Sequence, residues 1–253
     1  MSNNSFIKSP EGIIKARAAG HLAARVLQMI EPHVQPGVTT DHLDALCHDF
    51  IVNELGAIPA NIGYQGYTKT TCISVNHVIC HGIPSDKVLK KGDIVNVDVA
   101  LIKDGWYGDT SRMFYAGEPS ILARRLVDTT LEAMHAGIEV VRPGATLGDV
   151  GFAIAAVAKR EGFSVVEEYC GHGIGQGYHE DPQVLHYGQK GQGLVLKEGM
   201  LFTIEPMINA GQRFSKLLKD GWTVVTKDHS LSAQWEHMVL VTKDSYEILT
   251  PWP

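Results

Sequence analysis

Asp98 and Asp109 lie eleven residues apart in the most strand-like stretch of the chain. Residues 93–102 are rich in β-branched side chains, Lys103-Asp104-Gly105 reads as a tight turn, and 106–116 reads as the returning strand. A two- or three-residue loop brings the two aspartates within a residue or two of being opposite. Cross-strand neighbours are about 5 Å apart and diagonal ones about 7–8 Å. Carboxylates that close in an apolar strand repel one another and lose hydration. Neither strand core holds a Lys or Arg, and Arg112 is the nearest cation. A divalent metal is the simplest compensation. The other reading places one aspartate in solvent and the other at the turn. Two glutamates favour the metal: Glu205 follows the apolar run Met200–Ile204, and Glu236 opens the run Met238–Val241. Pro206 cannot continue a central ladder, so pairing breaks beside Glu205.

Residues 170–180 read Cys-Gly-His-Gly-Ile-Gly-Gln-Gly-Tyr-His-Glu. This is no dinucleotide loop, because the glycine spacing fails at Tyr178 and no βαβ pattern surrounds it. Position 183 is Gln, so His179-Glu180 does not open a zincin helix. The alternating glycines are expected to let backbone approach a ligand or metal while His172 and His179 project. The alternative is a flexible loop with two incidental histidines. No G-x-S-x-G elbow occurs. Cys80-His81 would point to opposite faces of a strand and make a poor nucleophilic pair.

The elements that must position these groups follow from pattern. Ser9-Pro10-Glu11 caps a helix over residues 9–31, with Leu22, Val26, Met29 and Ile30 on one face. Thr40-Asp41 opens a second helix that Gly56 and Pro59 stop. Residues 71–80 read as one strand, about 120–137 and 146–161 as helices, and the remainder from Phe163 as strand, glycine loop and strand. Shifting the chain by 107 residues aligns Gln35-Pro36-Gly37-Val38-Thr39 with Arg142-Pro143-Gly144-Ala145-Thr146. The same shift aligns residues 89–98 with 196–205. Six of these fifteen positions are identical, and Asp98 falls on Glu205. A duplicated helix–helix–strand unit, about 11–118 and 119–253, would set two halves around a pseudo-twofold axis with a site between them. With residues 1–10 as an N-terminal tail, 11–253 is expected to form one domain.

The chain has 253 residues, 44% of them apolar and 20% charged, with a formal net charge of −6. That composition excludes a disordered chain and argues against nucleic-acid binding, which needs a concentrated basic face. No 18-residue apolar stretch appears, so no membrane span is expected. Four cysteines without a Cys-x-x-Cys pair suit free thiols in a reducing compartment, hence a cytoplasmic location.

Cys80-His81-Gly82-Ile83-Pro84, Asn96-Val97-Asp98-Val99, Gly108-Asp109-Thr110, Gly171-His172-Gly173-Ile174-Gly175, Thr203-Ile204-Glu205-Pro206 and Glu236-His237 occur in one order. In this the chain resembles the type I methionine aminopeptidases of the short bacterial form, from about residue 11 to 249. The resemblance implies an α/β (α+β) pita-bread fold, two pseudo-symmetric halves around a curved antiparallel sheet with helices outside. It implies five ligands for two divalent ions (Co, Mn, Fe or Zn). Asp109 and Glu236 would bridge, Asp98 would complete one site, and His172 with Glu205 the other. A metal-bridged hydroxide would attack the first peptide bond of nascent chains that begin with Met and continue with a small residue. His179 would stabilise the intermediate, His81 would lie near the next amide nitrogen, and Glu205 would shuttle a proton to the leaving amine. Tyr64, Tyr67, Cys72, Tyr178 and Trp222, with His81 and His179, would hold the substrate. Main-chain oxygens near Asn76, Val78 and Ser232 would bind a monovalent cation. A monomer that docks transiently on the ribosome, without DNA or membrane partners, is the implied setting. Three departures stand out: Gln65 for the usual His, Trp235 for Tyr, and Met238 for Thr. Met238 would share a face with Glu236 and remove a hydrogen bond from that ligand, weakening metal affinity. An Xaa-Pro peptidase or a non-catalytic binding module on the same fold are the alternatives.

Overall fold

The computed structural model describes residues 6–252. Ser9 accepts a hydrogen bond from the Gly12 N–H and starts α1 (Pro10–Ile30). Thr39 caps α2 (Thr40–Asp49), which ends earlier than Gly56 and passes into one π turn, Phe50–Glu54. The chain continues through β1 (Ile58–Pro59), β2 (Thr71–Val75), β3 (Val78–Cys80), β4 (Asp93–Lys103) and β5 (Trp106–Ala116). The second half runs α3 (Ile121–Glu139), α4 (Leu147–Arg160), β6 (Ser164–Val165), β7 (Gly171–Gly173), β8 (Glu180–Val184), β9 (Leu201–Ile204) and β10 (Met207–Asn209). It closes with β11 (Ser215–Leu217), β12 (Val224–Thr226), β13 (Ser232–Gln234), β14 (His237–Val241) and β15 (Tyr246–Ile248).

Every pairing is antiparallel. β4 carries β5 and β2, with β1 at one end, and the longest ladder runs β15-β14-β9-β7-β8. Two shorter ladders, β13-β10-β6 and β11-β12-β3, complete the sheet system. The Glu236 N–H donates to the Ser111 carbonyl at 3.1 Å and ties the second half to β5. Helices α1 and α2 cover one apolar core with β2, β4 and β5, whereas α3 and α4 cover another with β9 and β14. Each helix buries one stripe on the sheet, as amphipathic spacing requires.

The backbone repeats at the 107-residue offset. Gly37 N–H bonds the Leu89 carbonyl at 2.8 Å, and Gly144 N–H bonds Leu196 at 3.0 Å. Leu89 N–H bonds Val38, and Leu196 N–H bonds Ala145, both at 2.8 Å. Thr39 bridges Val88 as Thr146 bridges Val195, and these two threonines cap α2 and α4.

One expectation needs correction. Residues 71–80 form two strands, because Asn76 adopts φ +57 and breaks the run. Its amide donates to Asp93 Oδ1 at 2.8 Å and accepts from the Ile94 N–H, which holds a conformation that Asn tolerates. Of residues 6–10, Ile7 bridges Met200, Lys8 N–H bonds the Gly199 carbonyl at 2.8 Å, and Pro10 opens α1. Residues 1–5 and 253 lie outside the described residues. Asp104 and Gly105, both at positive φ, form a two-residue loop between Lys103 and Trp106, the shorter of the two expected lengths.

Helix α1 crosses β5 at Gly108, where a Cβ would collide with the Ala19 carbonyl and the Gly20 N–H. Gly108→Ala is expected to lower stability by about 1–3 kcal/mol, the usual range for overpacking. Denaturant unfolding of the two proteins checks this.

Candidate metal centre and substrate cleft

The β4–β5 register sets the first two carboxylates. Asp98 pairs with Ser111 and Asp109 with Ala100, so the aspartates are diagonal neighbours on one face. Cys72 lies directly opposite Asp98 across the β2–β4 ladder. Glu205 sits at the break between β9 and β10, and Glu236 just before β14. His172 is the middle residue of β7, which packs between β8 and β9.

One atom each from Asp109, His172 and Glu236 lie within 4.8 Å of one another, the spacing of a shared ion. His172 Nε2 is 3.5 Å from Asp109 Oδ2 and 3.6 Å from Glu205 Oε1. The Gly173 carbonyl, 3.0 Å from His172 Nδ1, can only accept, so Nδ1 carries a proton and Nε2 faces the carboxylates. Asp98 lines the same cleft, which encloses about 270 Å³. All five side chains thus converge, with Asp98 and Glu205 flanking the tighter trio.

Their surroundings explain how they are held. Thr203 Oγ1 donates to Glu205 Oε1 at 2.7 Å and accepts from the His172 N–H at 2.9 Å. Gln234 donates to Glu205 Oε2 at 3.3 Å, and the Glu205 N–H donates to His186 Nε2 at 3.2 Å. Thr110 Oγ1 donates to the Glu236 carbonyl at 2.6 Å. Spacing two residues before Glu205 on one strand face points to Thr203. Nothing local singles out Gln234 or His186. Met238 Sδ accepts the Asp109 backbone N–H at 3.2 Å, and a thioether has no proton to donate to the Glu236 carboxylate.

The remaining predicted side chains line the same cleft: Tyr64, Tyr67, Cys72, His81, Tyr178, His179 and Trp222, joined by Asn61 and Gln65. Tyr67 and Trp222 meet edge-on at 4.8 Å between centroids, and Tyr178 stacks on Tyr107 and His179. Tyr178 donates to Asn61 Oδ1 at 2.7 Å, a partner that no sequence signal marks. His81 lies beyond β3 at φ +56, so strand alternation does not describe its relation to Cys80. A Cβ at Gly171 would strike the Thr203 carbonyl, and one at Gly173 the Asp181 carbonyl, so these two glycines bring neighbouring backbones close while His172 and His179 project into the cleft. Asn76 and Ser232 adjoin, with Ser232 N–H on the Asn76 carbonyl at 2.9 Å, and Val78 opens β3 nearby.

As protein groups alone, the carboxylates cannot all ionise. Burial first, then neighbouring carboxylates, push Asp98 and Glu236 well above the ordinary carboxylate range. Burial lifts Glu205 to about 7 against the opposing pull of His172. Burial opposes the charge on His172, but Asp109 and Glu205 outweigh it and raise the ring to about 9. Four acidic side chains and one imidazole suit hard-to-borderline divalent ions, which would displace these protons.

The native, unmetallated chain therefore holds more protons than the unfolded chain near neutrality. Stability falls as pH rises through the raised value of Glu205, from about 4.5 to about 7, and through that of His172, from about 6.5 to about 9. Buried His179, His186 and His237, all lowered, gain stability up to about pH 6.5 and offset the Glu205 trend there, so chelated protein should melt at progressively lower temperature from pH 7 to 9, as His172 titrates. Saturating Mn²⁺ should stabilise it more strongly as pH rises, because the metal competes with protons. Thermal melts across that range, with and without metal, check both trends.

The comparisons with known proteins agree with this chemistry. The profile of metallopeptidase family M24 matches residues 15–243. The methionine aminopeptidase of Escherichia coli is 58% identical over 245 residues, covering 96% of this chain and 93% of that protein. The crystal structure of methionine aminopeptidase from Rickettsia prowazekii superposes with a TM-score of 0.95 at 57% identity, covering 97% of this chain and 99% of that one. The methionine aminopeptidase structure from Thermotoga maritima gives 0.94 at 40% identity, covering 96% and 98%. The residues that gather around the cleft sit on the fold of these peptidases, and the chain belongs to metallopeptidase family M24.

Proposed function

We propose that this chain removes the N-terminal methionine from polypeptides whose second residue is small. The observation that carries this reading is the cleft itself, in which a wall of Tyr64, Tyr67, Tyr178 and Trp222 faces Asp98, Asp109, His172, Glu205 and Glu236. An aromatic slot with Cys72 at its floor suits a flexible thioether side chain. The carboxylates beside it suit the positive free amine of a chain end. The 58% identity to a methionine aminopeptidase, against 25% to a prolidase structure, favours this reading over an Xaa-Pro peptidase, and the intact ligand set disfavours a non-catalytic module.

Asp98, Asp109, His172, Glu205 and Glu236 would together hold the divalent ions (Mn, Fe, Co or Zn). Bound there, the ions supply Lewis acidity at the scissile carbonyl and lower the pKa of water enough to give a nucleophile at neutral pH. Gln65 donates to the Tyr64 hydroxyl at 3.2 Å, which leaves the Tyr64 proton for Nδ1 of His179, 2.7 Å away. Burial, then the nearby His172, pulls His179 down to about 4, so the ring is neutral with its own proton at Nε2. That N–H donates to the oxygen on which charge develops. Glu205 carries a proton to the departing amine. His81, made less basic by burial, lies at the slot's edge against Trp222 and contacts the following amide. Main-chain oxygens around Asn76, Val78 and Ser232 bind a monovalent cation that stiffens the β2–β3 turn. The two halves descend from a duplicated unit and act as one domain, 11–253, in a cytoplasmic monomer that meets nascent chains at the ribosome. Among the described residues, no helix is long and apolar enough to cross a membrane.

Metal-reloaded full chain should release methionine from Met-Ala-Ser and leave Ala-Pro-Ala intact; cleavage of the second peptide alone would overturn the reading. Glu236→Ala should abolish binding of the metal pair and turnover, measured by metal analysis alongside the peptide assay. His179→Ala should lower kcat by roughly 10²-fold or more, as for loss of a transition-state donor. Steady-state kinetics would contradict that role if only KM changed.

A further inference from the structure

Gly175 and Gly177 follow the two sheet glycines but belong to no strand. A Cβ at Gly175 would lie 2.7 Å from Lys8 Nζ, and one at Gly177 would lie 2.9 Å from Glu180 Cγ. Both glycines therefore make room for a single ion pair, Lys8 with Glu180, whose partners are 172 residues apart in sequence. The Lys8 side chain is only 10% exposed, so this pair is largely withdrawn from water, unlike an ordinary surface pair.

Both ends of the pair are anchored. Lys8 N–H bonds the Gly199 carbonyl at 2.8 Å, and Ile7 bridges Met200, one residue before β9 leads to Glu205. Glu180 directly follows His179, and its Oε1 accepts the Gly177 N–H at 2.7 Å. Gly175 N–H bonds the Gly177 carbonyl at 3.1 Å, and the Gly175 carbonyl accepts the Tyr107 N–H at 2.9 Å. The one carboxylate thus joins the N-terminal segment to the turn that carries Tyr178 and His179.

We propose that residues 6–8 form a latch on this turn and that Lys8, acting through Glu180, is a positioning residue for His179. The catalytic part of this claim rests on the role given to His179 above; the latch itself does not. Without the ammonium, the Glu180 carboxylate is left partly buried and unpaired, so it turns to water and releases the Gly177 N–H. The turn then samples orientations in which His179 no longer faces the substrate, an error that lowers turnover more than binding.

Hydrogen exchange of residues 174–180 and kinetics on Met-Ala-Ser test this in the metal-loaded full chain. Lys8→Met should speed exchange at the Gly177 amide and lower kcat, each by roughly tenfold, with KM within about twofold of the parent. Lys8→Arg should restore both, and adding Glu180→Gln to Lys8→Met should bring little further loss, because the two side chains act as one unit. Unchanged exchange in Lys8→Met overturns the latch, and faster exchange with unchanged kcat overturns the positioning role. A parent enzyme inactive on Met-Ala-Ser would refute the function proposed above while leaving exchange to decide the latch.

Discussion

Four carboxylates and one imidazole share a space from which most water is excluded, and their mutual repulsion is the constraint that the rest of the structure must withstand. Two like charges 4 Å apart oppose each other by about 4 kcal/mol even at an effective dielectric of 20. A flexible loop would relieve that by swinging one group away. Here the groups are fixed by backbone that cannot swing. Asp98 and Asp109 stand on an eleven-residue ladder, each strand buried under α1. Glu205 and Glu236 stand at the ends of two strands that pair with each other, since His237 faces Ile204. The Ser111 carbonyl and the Thr110 hydroxyl then hold Glu236 against β5. Charge compensation thereby falls to bound protons or to bound cations.

That arrangement explains why two helix-covered halves are needed. One hairpin supplies two carboxylates, both from the same side. The second pair must come from another ladder whose register is set independently, and β9–β14 in the second half provides it. The offset hydrogen bonds at Gly37 and Gly144, and at Leu89 and Leu196, hold the corresponding turns of each half in the same geometry. Asp98 and Glu205 fall at matching positions of the offset, yet Asp98 lies inside β4 and Glu205 at the break after β9, so each half delivers its acidic group by a different local backbone.

Most of the site was legible because its signals are local. A Gly-containing turn and two runs of β-branched residues placed Asp98 within a residue or two of being opposite Asp109, and the two are offset by two. Pro206 marked the strand break beside Glu205. What escaped depends on contacts between distant segments. Gln234 and His186 support Glu205 across strands that no short window joins. The single strand drawn over 71–80 failed at Asn76, whose left-handed turn is stabilised by Asp93 and Ile94 of another strand. The glycine alternation is visible in the sequence, but only the folded chain shows the Thr203 and Asp181 carbonyls packed against positions 171 and 173. The Met238 contact with the Asp109 N–H was likewise beyond the sequence, since strand periodicity fixes direction and not which neighbour lies there.

The substrate side of the cleft obeys a different logic from the metal side. Its walls come from the loop around Asn61–Tyr67 and the turn around Tyr178–His179, neither of which is a long ladder. Two hydrogen bonds join these walls through their polar tips, Tyr178 to Asn61 and Tyr64 to His179. The aromatic bodies are thereby left to form the slot. A ladder fixes position along its whole length, whereas a tip-to-tip bond fixes only the distance between two walls. The acidic groups need the first kind of restraint, because repulsion acts on them continuously. The slot needs only the second, because a side chain that fills it adds contacts on both walls. Rigid backbone is therefore concentrated where charge would otherwise drive the groups apart, and adjustable side-chain bonds are found where a substrate must enter and leave.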